Sequence, residues 1–335
     1  MAAKRVTIFG GSGFIGRYLV ERLASAGAVI RVAVRYPAEA AFLKPAGAVG
    51  QIAPLRASVS DEAAVAEAVE GADWVVNLAG ILYQRGARTF ENVHHLGARN
   101  VAQAAAAAGV ARLVHVSALG AEPGAAAEYA RSKAAGEVAV RDAFPAATIL
   151  RPSVVFGPED DFFNRFAALV RLMPLVPVVG AGFDFPIGQR TRLGIDFCRD
   201  GGASFQPVYV GDVAAAAAVA LTRGDAAGQT YELGGPQIYT MKRILEMILE
   251  RTNRRRWLVP WPFGLARFQA AFLEYLPTPP LTRDQVAMLE SDNVVAPDAV
   301  TLADLGLHPT PVDGVLDTYM DRYRAGGRFT RPRQA

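Results

Sequence analysis

Short apolar runs and stretches of helical period take turns along the first half of the chain. Residues 5–9, 29–35, 52–57, 73–80 and 112–117 are apolar or alternating and read as strands. Between them, residues 17–26 place Leu19, Val20 and Leu23 at helical spacing, and 62–70, 91–108 and 128–144 also read as helices. A sixth strand runs into Arg151-Pro152. Regular strand–helix alternation predicts an α/β fold with a Rossmann-type doubly wound parallel sheet. The pattern then loosens. A helix over 160–172 is followed by a Pro/Gly-rich stretch to about residue 205, where Gly180, Gly182, Gly188, Gly194, Gly201 and Gly202 mark loop. Residues 206–213 read as a further strand leading to a helix capped by Asp212, and 231–235 as another strand and turn. Thr240 caps a later helix. The expected division is a nucleotide domain over 1–151 and a smaller C-terminal lobe over 152–335, with some segments returning to the main sheet.

The first strand enters Gly10-Gly11-Ser12-Gly13-Phe14-Ile15-Gly16, and a helix follows at once. A dinucleotide site needs this order. Gly10 permits a tight turn, Gly13 lets backbone approach a pyrophosphate, and Gly16 lets the helix pack on the strand. Free amides and the dipole at the helix start then hold phosphate. Strand two ends in Arg35, where an acidic residue would bind the ribose 2′-hydroxyl of NAD. A guanidinium there suits a 2′-phosphate, and Arg17 just after the turn adds to it, so NADP(H) is expected over NAD(H). Further on, Tyr129 and Lys133 stand four apart on a predicted helix and project from one face.

These features resemble the short-chain dehydrogenase/reductase family, in its extended and atypical branches. The glycine spacing 10, 13, 16 matches, as do Asn77-Leu78-Ala79-Gly80, the strand-end Ser117, and Tyr129-Ala130-Arg131-Ser132-Lys133. The resemblance implies a cofactor held by Gly10, Gly11, Ser12, Gly13, Phe14, Ile15, Gly16, Arg17, Arg35, Ser58, Leu78, Ala79, Gly80, Tyr129, Lys133 and Pro152. Ser58 stands where relatives carry Asp against the adenine edge. The resemblance also implies catalytic roles. Lys133 would hold the ribose and lower the Tyr129 pKa, Tyr129 would exchange a proton with a substrate oxygen, and Ser117 would polarise that oxygen.

More specific strings narrow the resemblance. Residues 140–146, 206–213 and 281–286, and above all 156–166 (Phe-Gly-Pro-Glu-Asp-Asp-Phe-Phe-Asn-Arg-Phe), are similar to the accessory NAD(P)H-binding subunits of respiratory complex I, in a bacterial form. That similarity implies a mainly structural cofactor, other complex I subunits as partners, and a peripheral place on the cytoplasmic face of the inner membrane. An active reductase or a sugar-nucleotide epimerase/dehydratase is the alternative, because Ser117, Tyr129 and Lys133 are all kept.

Composition narrows the classes further. The 335 residues are 51% hydrophobic and 20% charged, an ordinary globular balance. A net charge of +3 does not by itself point to nucleic acid. The basic residues are uneven: Arg251, Arg254, Arg255 and Arg256 cluster, and Arg322, Arg324, Arg328, Arg331 and Arg333 crowd the end. Trp257, Trp261, Phe263, Phe268 and Phe272 follow the first cluster, so residues 254–276 either pack their aromatics in a small helical lobe or meet a membrane surface. Cys198 is the one cysteine, which excludes an intrachain disulfide, and it is read as an inert thiol. No apolar run reaches a membrane span, no signal peptide is expected, and His94, His95 and His115 show no ligand spacing for a metal.

Overall fold

A computed structural model describes residues 3–183 and 189–326. Contacts divide the chain into two compact units. One comprises the chain to Pro152 with Val210–Leu233 and Val295–His308; the other comprises Ser153–Tyr209, Gly234–Val294 and the chain from Pro309.

The first unit is a seven-stranded sheet. Its elements are β1 (Arg5–Phe9), α1 (Phe14–Ser25), β2 (Val29–Val34), β3 (Ile52–Arg56), α2 (Glu62–Val69), β4 (Trp74–Asn77), α3 (Leu96–Ala107), β5 (Arg112–Val116), α4 (Glu128–Ala143), β6 (Thr148–Pro152), α5 (Val210–Thr222) and β7 (Thr230–Leu233). The order is β7-β6-β5-β4-β1-β2-β3 and every neighbouring pair is parallel. Helices cover both faces, so the strands read as near-continuous apolar runs: Val6, Ile8, Phe9, Ile30 and Val32 are fully buried. Helix α1 packs on α5, while α2, α3 and α4 pack in a row. Thr7 is the polar exception among the buried residues of β1, and its hydroxyl donates to the Ala68 carbonyl of α2 at 2.8 Å. The order reverses between β1 and β4, and a crevice opens at the carboxyl ends of strands at such a switch point.

The structure departs from the expected elements at two places. The helix expected over 91–108 begins as a π-turn, Glu91–His95, before continuing as α3. Asp212 does not precede its helix: α5 already starts at Val210, and Asp212 lies in its first turn. By contrast, Asp61 caps α2 and Thr240 caps the helix Met241–Thr252.

The second unit corrects the expected loop over 173–205. Leu175–Val179, Trp257–Trp261, Gly194–Asp196 and Gln189–Thr191 form a four-stranded sheet in that order. Val176 and Val178 alternate into the core, and Pro177 is tolerated because its strand lies at the sheet edge. Gly188 lies outside the described residues, as do Arg328, Arg331 and Arg333. The core joins Phe163, Ala167 and Val170 of the helix Phe162–Leu172 to Ile244, Leu245 and Ile248, and to Leu316 of the helix Val312–Met320.

The string 156–166 forms a clasp in this unit. Asp160 is buried and accepts from the amides of Gly157 (3.2 Å) and Asn164 (3.1 Å), and from the Tyr319 hydroxyl (2.7 Å). Burial pushes the Asp160 carboxyl up from the usual range and also pushes the Tyr319 hydroxyl up. Arg322 donates to the Pro158 carbonyl at 2.9 Å, so the end of the described chain is tied to the same turn. Tyr319→Phe, which removes the hydroxyl donor to Asp160, lowers the unfolding free energy in a urea titration by about 1–3 kcal/mol. Asp160→Ala costs more, because it leaves two amides and a hydroxyl without their acceptor.

Candidate functional site

The glycine turn is built by close backbone approach. Gly10 adopts φ +76°, and a Cβ there would lie 3.0 Å from the Leu78 carbonyl group just beyond β4. A Cβ on Gly16 would lie 2.5 Å from backbone atoms of Gly10 and Gly11. Gly13 donates to the Gly10 carbonyl at 3.0 Å and stands at the N-cap of α1. No side chain caps α1 and its first turn holds no acid, so its leading amides remain for a ligand. Ser12 and Phe14 to Arg17 complete the turn, with Arg17 lying 5.3 Å over the Phe42 ring.

A hollow of about 390 Å³ at the ends of β2 and β3 is lined by Arg35, Tyr36, Arg56, Ala57, Ser58, Asp61 and Ala64. Arg35 lies 5.9 Å over the Tyr36 ring. The Ser58 hydroxyl is 2.9 Å from that of Ser60. Arg88 belongs to the same electrostatic neighbourhood: burial lowers its pKa first, and the Arg35 charge lowers it further. It is carried by a tight turn in which Arg85 and Arg88 exchange backbone hydrogen bonds at 2.9 and 3.0 Å. Sequence reading missed Arg56 and Arg88. Arg56 ends strand three as Arg35 ends strand two, which is a usable signal; Arg88 sits in a turn with none.

The residues expected to be catalytic gather at the ends of β4 and β5 and along α4. Ser117 is buried just past β5, and its hydroxyl has no hydrogen-bond partner among the described residues. Lys133 is 5% exposed and donates to the Val116 carbonyl at 3.1 Å. Burial lowers the Lys133 pKa to about 8, against a smaller raising effect of Glu137. Glu137 is itself held by Arg151 through two hydrogen bonds of 2.9 and 2.7 Å. A Cβ on Gly80 would lie 3.5 Å from the Lys133 ammonium, so the strand-end Ala79-Gly80 passes directly over it. Pro152 ends β6, and its carbonyl accepts from the Leu119 amide at 3.0 Å.

Two buried histidines, which metal spacing alone could not interpret, organise this cluster. His94 Nε2 accepts from the Ile81 amide at 3.0 Å. Its Nδ1 therefore carries the proton and meets the Ser132 hydroxyl at 2.9 Å, and that hydroxyl donates to the Tyr129 carbonyl at 2.7 Å. The His94 ring also lies edge-on to Tyr129 at 5.2 Å and stacks with Phe90 at 5.3 Å. His115 sits opposite Asn77 across β4 and β5. The Asn77 amide oxygen accepts from Ala79, so its nitrogen donates to His115 Nδ1 at 3.2 Å. His115 Nε2 then carries a proton with no partner among the described residues. Burial, with the Lys133 charge second, lowers His94 to about 2 and His115 to about 3, so both rings stay neutral. A polar residue inside Leu113-Val114-His115-Val116 was a legible signal for His115. The π-turn hides His94, because it breaks the helical phase.

Other polar groups near the site are structural. Asn92 ties its own turn, donating to the Ala87 carbonyl at 2.9 Å, and Asn100 donates to the Val59 carbonyl at 3.0 Å. Cys198 is buried, and burial pushes its thiol up to about 12, as an inert thiol requires.

A parallel sheet with this strand order, a glycine turn at its switch point and a Ser-Tyr-Lys set beside it defines a dinucleotide-binding protein of the dehydrogenase/epimerase class. Residues 6–234 match the NAD dependent epimerase/dehydratase family, and the chain belongs to it. The chain is 33% identical over 333 residues to the mitochondrial NADH dehydrogenase [ubiquinone] 1 alpha subcomplex subunit 9 of Arabidopsis thaliana, covering 96% of this chain and 78% of that protein. It is 35% identical to the subunit of the same name from Rattus norvegicus, covering 92% and 77%. Among solved structures, the UDP-glucose 4-epimerase of Thermus thermophilus in complex with NAD superposes with a TM-score of 0.65 at 23% identity, covering 95% of this chain and 98% of that one.

Two outcomes test this geometry. Gly16→Ala destabilises the protein by about 1–3 kcal/mol, since the clash is with backbone, and it abolishes nucleotide retention in a binding titration. Lys133 titrates near 8 when folded and near ~10.4 when unfolded, so between these the unfolded chain binds more protons and stability rises with pH. In urea titrations of nucleotide-free protein across that window, the stability of the wild type relative to Lys133→Met rises by on the order of 2–3 kcal/mol; the Cys198 thiol, pushed up by burial, contributes a slope of opposite sign that is common to both proteins and cancels in the difference.

Proposed function

We propose that this chain is an accessory subunit of respiratory complex I that holds NADP(H) in its first unit, mainly as a structural element. One observation carries this reading: the likeness to complex I subunits of plant and animal mitochondria runs along 92% or more of the chain, well beyond the nucleotide-binding part. Its partners are then other complex I subunits, and its place is peripheral, on the cytoplasmic face of the inner membrane. No helix among the described residues is long and apolar enough to cross a membrane.

The residues present fit the cofactor. The glycine turn is a cradle that any Cβ would fill, the α1 amides are uncapped, and the Ser117 hydroxyl and His115 Nε2 are buried without partners among the described residues. Gly10 to Arg17 would hold the pyrophosphate; Leu78, Ala79, Gly80, Pro152, Tyr129 and Lys133 would lie along the ribose and nicotinamide; Ser58 would face the adenine. The Arg35 guanidinium, with Arg56 lining the same hollow, favours the 2′-phosphate of NADP(H), since clustered cations are best relieved by an anion. A ligand bound only by the folded state stabilises it by ~4 kcal/mol at about a thousandfold excess over its dissociation constant, which is sufficient for a structural role.

The intact Ser117, Tyr129 and Lys133 favour a second reading, an active reductase or sugar-nucleotide epimerase/dehydratase. Bound nicotinamide supplies hydride chemistry. Lys133, cationic below about pH 8, would lower the Tyr129 pKa, Tyr129 would exchange a proton with a substrate oxygen, and Ser117 would donate to that oxygen.

Three measurements decide. Native membranes solubilised in mild detergent place the chain in one large particle with NADH dehydrogenase activity; migration as a small free species overturns the subunit reading. Tyr129→Phe leaves respiratory activity unchanged under the first reading and removes a reaction under the second. NADPH binds roughly 10–100-fold tighter than NADH, the worth of charge-assisted hydrogen bonds, and Arg35→Ala erases that difference; equal affinities in the wild type reject the 2′-phosphate assignment.

A further inference from the structure

We propose that residues 171–175 and 254–257 form a docking face for an anionic lipid bilayer surface. In the second unit, the end of helix Phe162–Leu172 and the start of the following strand make five consecutive exposed residues, 171–175, among which Leu172 is 80%, Met173 40% and Leu175 45% exposed. Leu175 pairs in parallel register with Trp257, which is 50% exposed and whose amide donates to the Pro174 carbonyl at 3.1 Å. Two aliphatic side chains, a thioether and an indole therefore share one rim of the four-stranded sheet.

Arginines border that rim. Arg256 reaches the Val170 carbonyl at 2.8 Å, and Arg254 reaches the Tyr323 carbonyl at 3.1 Å. Neighbouring Arg251 is consumed by Glu250, Asp313 and Asp317. Arg171, Arg254, Arg255 and Arg256 have no carboxylate partner among the described residues. Burial lowers the Arg254 pKa, and the charges of Arg256 and Arg171 lower it further, so these cations repel one another. An exposed apolar patch and unneutralised guanidiniums are relieved together by an anionic interface, where the indole sits at headgroup depth and the exposed Arg171 and Arg255 meet phosphate.

Charge separates this face from the other exposed apolar surface in the unit. Helix Phe263–Leu273 presents Leu265, Phe268 and Phe272 at helical spacing, with Tyr275 beyond it. Its cations are already neutralised: Arg267 pairs with Glu290, and Arg283 with Glu274. That stripe lacks the free positive charge an anionic membrane recognises. The membrane contact drawn from the sequence as 254–276 thus narrows to its first four residues and gains 171–175, which the sequence did not associate with it.

The test uses the full-length chain and two vesicle types, phosphatidylcholine alone and phosphatidylcholine with phosphatidylglycerol. The chain co-sediments with the anionic vesicles, and raised salt releases it. Arg171→Glu with Arg255→Glu lowers the partition coefficient by about tenfold or more. Leu172→Ser with Trp257→Ser lowers it comparably, while Phe268→Ser with Phe272→Ser leaves it unchanged. The wild type shows a blue-shifted tryptophan emission on anionic vesicles that Trp257→Phe lacks, a readout independent of any double variant. No binding to anionic vesicles, equal binding to both kinds, or loss only in the Phe268/Phe272 variant overturns the proposal. None of these outcomes bears on complex I membership, which migration of the native particle reads separately.

Discussion

The first unit depends on one close approach of backbone to backbone. Gly10 turns with positive φ against the Leu78 carbonyl, and Gly16 brings α1 against the backbone of Gly10 and Gly11. Helix α1 can then start at the end of β1, at the reversal of strand order, with its amides open. A Cβ at Gly16 would overlap the Gly10 and Gly11 backbone, and Gly10 needs a left-handed φ that other residues adopt only under strain. The same contact joins the carboxyl ends of β1 and β4, and so sets where Leu78, Ala79 and Gly80 run relative to Lys133.

The second constraint is electrostatic. Lys133 is buried beside two neutral histidines, and the nearest carboxylate, Glu137, is held by Arg151. Burial alone would expel an ammonium. The Val116 carbonyl offsets part of that cost. The Ser117 hydroxyl and His115 Nε2, without partners among the described residues, are the other side of this imbalance. A polar ligand that brings hydroxyls to the cluster relieves all three groups at once. The arrangement therefore favours binding whether or not a reaction follows, and a site of this kind suits a permanently held cofactor as well as an active enzyme.

The second unit follows a different logic. Its sheet is short, one edge strand tolerates proline, and a buried carboxylate, Asp160, anchors the point where the C-terminal helix docks. The composition of the string 156–166 follows from that contact. Gly157 and Asn164 donate their amides to the carboxylate, and Phe162, Phe163 and Phe166 pack edge to face beside it.

The sequence by itself determined the alternating strands and helices of the first unit, the glycine turn, the helical pairing of Tyr129 with Lys133 and the arginine at the end of strand two. All are local: a period, a φ requirement or a spacing of four within one element. Tertiary structure alone decided what depends on distant partners. It brought His94 edge-on to Tyr129 through a π-turn that erases helical phase, and placed His115 against Asn77 by strand register. It carried Arg88 from a turn to Arg35. It also converted a Pro/Gly-rich stretch into edge strands, because Leu175–Val179 is stable only against Trp257–Trp261, some eighty residues later, and no local pattern encodes a pairing across that separation.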